Sequence, residues 1–218
     1  MPVTRRAFAA APSLTALVAL AGLSPLRLIG DATAQTASDV ARPVSLPDMA
    51  LGSAGAPVTI VEYASMTCPH CAHFNETVFP RIKSEYIDTG KLRYVFREFP
   101  LDDIALAAST MARCVAKDDA TKYFTLVDIL FRQQKDLVGA PLATINRIGK
   151  QAGFSEQAIK ACVDDDPSTK QKIAADLKYA NEKLKIDGTP AFFVNGDRFK
   201  AAPVFEEFDK RIKSLLKG

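Results

Sequence analysis

The residues best equipped for chemistry are two cysteines, Cys68 and Cys71, in the run Val58-Thr-Ile-Val-Glu-Tyr-Ala-Ser-Met-Thr-Cys68-Pro-His-Cys71-Ala-His-Phe-Asn75. Cysteine reacts as a thiolate, which is both the nucleophile and the better leaving group in disulfide exchange. Spaced one helical turn apart, the two sulfurs share a face and can close a short, reversible disulfide. Pro69 marks the start of that helix, because proline's missing N–H would have found no partner in the first turn. Cys68 then stands just ahead of the helix, where free backbone N–H groups and the positive end of the macrodipole favour an anion. His70 can add positive charge or a hydrogen bond and lower the thiolate's pKa further.

Two other readings compete. Zinc normally takes four ligands, yet the sequence has no second C-x-x-C, and its two histidines, His70 and His73, both fall in this one helix start. A purely structural bridge across one turn closes so short a loop that it adds little stability. A C-x-x-C between a strand and a helix instead reads as dithiol–disulfide chemistry.

The flanking segments position the pair. Val58 to Ala64 is β-branched and aromatic, which predicts a buried strand. Phe74, Val78 and Ile82 recur every four residues and predict a helix from about Pro69 to Tyr86, interrupted or bent at Pro80, with Gly90 closing it. Lys91 to Phe99 predicts a second strand, stopped by Pro100, so the first hundred residues contain a parallel βαβ unit. From Leu101 to about Lys185 only helical patterns follow: about Asp103–Ala116, Thr121–Gln134, Leu142–Ala152, Ser155–Val163 and Asp166–Leu184. Ala191–Val194 is then a strand and Asn195-Gly196 a hairpin turn, with a partner strand beginning at Arg198. A last amphipathic helix starts at Pro203, with Val204, Phe208, Ile212 and Leu215 on one face.

Cys68-Pro-His-Cys71, preceded by Glu62-Tyr-Ala-Ser-Met-Thr, resembles the active site of the DsbA-like thiol oxidoreductases. The resemblance extends over roughly residues 45–218. It implies an α/β, thioredoxin-like fold in which an all-helical subdomain (101–185) is inserted between a βαβ half (58–100) and a ββα half (186–218). It implies that Cys68 attacks and Cys71 resolves, and that Thr189-Pro190 is a cis-proline loop facing the cysteines. The backbone of Thr189 would then be open to an extended substrate as an added strand. Glu62 would be a buried acid assisting proton transfer to the resolving thiol. From the residues alone, Thr189-Pro190 could equally be a trans turn and Glu62 a solvated edge residue. A buried Glu62 needs a partner, and Arg97 on the neighbouring strand is the candidate. The Pro69-His70 pair differs from the Gly-Pro of reducing thioredoxins, and stabilising the thiolate makes the disulfide a stronger oxidant. His73 and Phe74 read as helix packing.

Cys114 and Cys162 both fall in the helical stretch. A structural disulfide is the preferred reading, worth about 4 kcal/mol in loop entropy; two buried thiols or a regulatory redox pair are the alternatives.

Residues 1–34 read as a cleaved export signal: Thr4-Arg-Arg-Ala-Phe8 is charged, Ala9 to Leu23 apolar, and Ala32-Thr-Ala34 a small-residue cleavage site. The twin arginine resembles a Tat signal, although Ala9 and Ala10 depart from that pattern. Removing the segment takes away three arginines and one aspartate, so the formal charge of +3 falls to +1 and the basic balance carries no nucleic-acid message. Residues 35–57 read as a tether, flexible to about Ser45, and a loop with a short edge strand. The expectation is a monomeric periplasmic enzyme with no cofactor and no metal. It would oxidise reduced, unfolded exported proteins and be reoxidised, as the resemblance implies, by a quinone-linked membrane partner of the DsbB kind. A reductase or isomerase of the envelope, or a chaperone-like module with an incidental disulfide, are the alternatives; isomerases of this fold usually carry an N-terminal dimerisation domain, for which 35–57 is too short.

Overall fold

The computed structural model describes residues 39–42, 44–165 and 167–217. The expected export segment, 1–34, lies outside the described residues. Five strands are formed: β1 (Met49–Leu51), β2 (Val58–Ala64), β3 (Leu92–Glu98), β4 (Ala191–Val194) and β5 (Asp197–Phe199). They lie in the order β1-β3-β2-β4-β5, with β2 and β3 parallel and every other pair antiparallel. The β4–β5 turn uses Asn195 and Gly196, both at positive φ, the conformation that a two-residue hairpin of this hand requires.

β2 is central, and its alternation sorts the core into two layers. Ile60 and Ala64, with Tyr94, Phe96, Phe192 and Val194 beside them, face one way. Val61 and Tyr63, with Val95, Ala191 and Phe193, face the other. On the first face lies α1 (Pro69–Thr77), whose Phe74 ring sits 4.6 Å from Phe192 and 5.6 Å from Phe208. The helix expected to be interrupted or bent at Pro80 is interrupted, ending at Thr77 with Val78 as its C-cap. Pro80 has no N–H to give back to the preceding turn, so the chain restarts as α2 (Phe79–Ile82) and widens into a π turn at Lys83–Ile87.

The segment between the two halves is all helical: α3 (Asp103–Ala116), α4 (Ala120–Arg132), α5 (Gln134–Gly139), α6 (Pro141–Gln151), α7 (Glu156–Lys160) with a π turn at Ala161–Asp165, and α8 (Pro167–Glu182). Asp102, Asp119 and Ser155 cap α3, α4 and α7 by accepting from Ala105, Lys122 and Ala158 N–H groups at 2.7, 2.9 and 3.1 Å. The expected five helices become six, because Gln133 departs from helical dihedrals and α5 follows as a separate short element. α9 (Phe205–Leu216) starts two residues later than expected. Phe205 takes the buried place foreseen for Val204, which caps the helix and stays exposed.

The flexible tether expected through Ser45 is shorter than that. Val40 is 3% exposed and packs with Tyr63, Ala180 and Leu184. Tyr179 of α8 donates to the Asp39 carbonyl at 3.2 Å, and the Ser45 N–H donates to Asp176 at 2.7 Å. One apolar residue in a polar run is too weak a signal to read without knowing that α8 lies opposite.

Two links tie the helical segment to the sheet and to itself. Cys114 on α3 and Cys162 in the π turn after α7 are joined by a disulfide, 48 positions apart. At the end of β3, Glu98 accepts from both the guanidinium of Arg113 and the hydroxyl of Tyr123, while Arg113 also donates to the Pro47 carbonyl at 2.6 Å. All three side chains are buried. Breaking a buried pair strands a charge, so Arg113→Ala is expected to lower the unfolding free energy by about 3–5 kcal/mol. Lys150→Ala, which removes an exposed pair with Glu156, should cost less than about 1 kcal/mol. Urea denaturation of both variants measures the contrast.

Candidate active site

α1 opens with Pro69 in its first turn and Cys68 at the N-cap, at φ −78° and ψ 118°. No side chain caps this end, so its first N–H groups remain available. Cys68 and Cys71 are free thiols, 5% and 0% exposed. The Thr189–Pro190 peptide is cis. It immediately precedes β4, whose pairing of Ala191 with Tyr63 carries the loop to the end of β2 from which the cysteines emerge. There the Cys68 thiol donates to the Thr189 carbonyl at 3.2 Å.

The two thiols are unlike. The Cys71 thiol, the Thr189 hydroxyl and the backbone N–H groups of Cys71 and His70 together bring Cys68 down to about 5, against the opposing effect of burial. That Thr189 hydroxyl is buried and makes no full hydrogen bond among the described residues. Cys71 is pushed far up, first by burial, then by Cys68 and the charge of Glu62. One sulfur is therefore an anion at neutral pH and the other holds its proton tightly.

Glu62, on β2, is 3% exposed. One carboxyl oxygen accepts from the Tyr94 hydroxyl; the other, Oε1, is buried with no partner among the described residues. Burial raises Glu62 to about 8, the Tyr94 hydrogen bond opposes this, and the charge of Cys68 adds to it. A carboxyl in that state carries a proton at pH 7 within electrostatic reach of Cys71.

The expected Glu62–Arg97 pair does not form. Arg97 lies opposite Tyr63 in the ladder, so it points to the other face of the sheet. There it holds Asp48 at 2.9 and 3.0 Å, the Tyr63 hydroxyl at 2.8 Å and the Val40 carbonyl at 2.9 Å. Tyr94, paired with Ile60 on the Glu62 face, is the partner that the sequence reading missed. Aligning the two strands would have found it. The structure thus gathers Cys68, Cys71, Glu62, Thr189 and Pro190. His70 joins through its backbone N–H, while its imidazole is exposed and, among the described residues, makes no hydrogen bond or ion pair. Pro69 is exposed beside it. Two further residues touch the loop before Cys68 without having been anticipated. Asp102 accepts from the Thr67 hydroxyl at 2.7 Å, and Gln134 donates to the carbonyls of Met66 and Cys68.

With this geometry in place, comparison with known proteins is informative. The thioredoxin family profile matches residues 45–214, and the chain belongs to that family. Within it, the chain is a DsbA-like member. It is similar to the crystal structure of alpha-DsbA1 from Wolbachia pipientis, with a TM-score of 0.72 and 32% identity over 80% of this chain and 94% of that one. A Bacillus cereus protein, provisionally named disulfide bond formation protein D, is 32% identical over 77% of this chain and 78% of its own. A Rickettsia bellii protein, provisionally named a protein-disulfide oxidoreductase, is 36% identical over 76% of this chain. The chain spans 65% of that relative's length and just over half of other rickettsial ones. Its fold is thioredoxin-like with an inserted helical domain.

The two perturbed acids have opposite pH signatures. The folded value of Cys68 lies below the ordinary thiol value, so its contribution is full above about pH 8.5 and lost as pH falls through about 5. The disulfide form does not titrate there. The stability of the reduced protein relative to the oxidised one should therefore fall as pH is lowered across that window. Glu62 is raised, so its contribution is full below the ordinary carboxyl value and lost as pH rises through about 8. In the oxidised protein, Glu62→Gln should gain stability relative to wild type between about pH 5 and pH 8. Urea titrations across pH on both redox forms measure the two effects.

Proposed function

We propose that this protein is a periplasmic thiol:disulfide oxidoreductase that donates its Cys68–Cys71 disulfide to reduced, exported proteins. The observation that carries the reading is the asymmetry of the two sulfurs: Cys68 at a helix N-terminus and lowered to about 5, Cys71 buried and raised. A substrate thiolate attacks Cys68 Sγ of the oxidised protein, the Cys68–Cys71 bond breaks, and the electron pair leaves on Cys71. The Glu62 carboxyl hands its proton to that thiolate. A second substrate thiolate then attacks the substrate sulfur of the mixed disulfide, and Cys68 departs as the stabilised anion. The substrate loses two electrons, which the protein holds as the Cys71 thiol and the Cys68 thiolate; of the two protons its thiols release, one replaces the proton Glu62 gave up and the other goes to solvent. In the reverse step, Glu62 takes the proton back from Cys71 so that the disulfide can reform.

Thr189 supports an extended client, since its carbonyl faces Cys68 and its loop leads straight into β4. Reoxidation falls to a membrane partner of the DsbB kind, linked to quinone. No helix among the described residues is long and apolar enough to cross a membrane. The reduced dithiol is the electron carrier, so the exchange requires no cofactor.

The equilibrium of residues 35–218 with glutathione, resolved by mass spectrometry so that the two cysteine pairs are separated, tests the direction. An oxidant of the DsbA sort gives a potential of about −120 mV, whereas a value of about −270 mV, as in thioredoxin, would make the protein a reductase. Cys71→Ser should accumulate a mixed disulfide with a disulfide-bonded client, because Cys68 attacks the client's disulfide and no second thiol remains in the protein to release it. Cys68→Ser should form none, as seen on non-reducing gels. Unchanged activity in a Cys68→Ala, Cys71→Ala double variant would instead point to a chaperone.

A further inference from the structure

The four residues that lead into α1, Ser65 to Cys68, belong neither to β2 nor to the helix, so their backbone groups must find partners elsewhere. The Cys68 N–H donates to the Ser65 carbonyl at 3.1 Å, and the Cys68 carbonyl accepts the first helical bond, from Ala72, at 3.2 Å. The Gln134 side chain supplies two more bonds. Its Nε2 donates to the Met66 carbonyl at 2.9 Å and again to the Cys68 carbonyl at 3.0 Å. An amide NH2 has two donors, and both are used on one short loop. Gln134 is the first residue of α5, which Leu137 anchors in the core, and it lines a cleft of about 650 Å³ shared with Pro69 and Ala72.

We infer that Gln134 is a positioning residue: through it, the helical segment fixes the backbone of the attacking cysteine and so holds Cys68 Sγ against the α1 amides. The inference rests on Cys68 being the attacking thiol, and it adds the element that holds that thiol in place. With both carbonyls pinned, Cys68 cannot rotate away from its N-cap conformation without breaking two hydrogen bonds. Without Gln134 the loop keeps its other attachments: Thr67 on Asp102, the Leu101 N–H on Ser65 at 3.3 Å, and the buried Met66. Loss of the amide should therefore loosen Cys68 and leave the fold standing.

Gln134→Met keeps the length and removes the donors; Gln134→Lys restores donors that can reach both carbonyls and adds a positive charge. The thiolate of Cys68 is followed by its absorbance at 240 nm in the reduced protein with Cys114–Cys162 intact, and thermal unfolding is recorded in parallel. In Gln134→Met the Cys68 pKa should rise by about one unit, and the equilibrium constant for oxidising a dithiol should fall about tenfold. In Gln134→Lys the pKa should return to the wild-type value or below. A Cys68 pKa in Gln134→Met within about 0.2 units of wild type, whatever happens to the melting temperature, would overturn the inference, as would a rise in Gln134→Lys equal to that in Gln134→Met. A wild-type Cys68 titrating at the ordinary thiol value would overturn the reading of Cys68 itself, and this inference with it. That outcome is separate, because it appears before any variant is made.

Discussion

A sulfur anion held almost out of water is the condition on which the rest of this structure depends. Cys68 is nearly buried, and burial alone drives a thiol the wrong way. It is offset by the neighbouring Cys71 thiol and the first amides of α1, all carried by one helix, and by Thr189, carried by the loop before β4. The N-cap left without a side chain, the cis-proline loop delivered by β4 and the short loop out of β2 converge on one atom. Moving any of them would return the sulfur to the fate of an ordinary buried thiol, which is that of Cys71.

The acid beneath follows the same physics with the opposite result. Glu62 sits on the enclosed face of β2, and its one hydrogen bond comes from Tyr94, a neutral donor. A cation there would have held the carboxyl ionised and unable to give a proton at neutral pH. The fold has an arginine within one residue of the right register, and strand alternation turns it to the other face, where it anchors the incoming chain instead.

Much of this was legible in the sequence, because strand and helix periods are local. The cysteine motif, its flanking strand and helix, the parallel partner strand and the Asn195-Gly196 hairpin are all carried by neighbours in the chain. What could not be read was long-range and polar. Arg97 seemed the obvious partner for Glu62 until the register fixed which face each occupies. Tyr94 looked like one more apolar strand residue. Gln134 lies 66 positions from Cys68, and nothing in its own helical surroundings points back to the loop. Val40 shows the same limit for packing, since a single apolar residue acquires meaning only from the helix opposite.

Cys114 and Arg113 are adjacent on α3, one carrying the covalent link to the π turn after α7 and the other the buried ion pair to β3. A hinge needs a place where two bodies touch lightly, and these two fastenings, side by side, remove it. Sheet, α3 and the stretch around Cys162 are therefore fastened to one another, and Tyr123 ties α4, which lines the cleft beside α1, to the same Glu98. For the function proposed above, the adaptation then falls to the client, which must be loose enough to fit a mouth fastened on both sides.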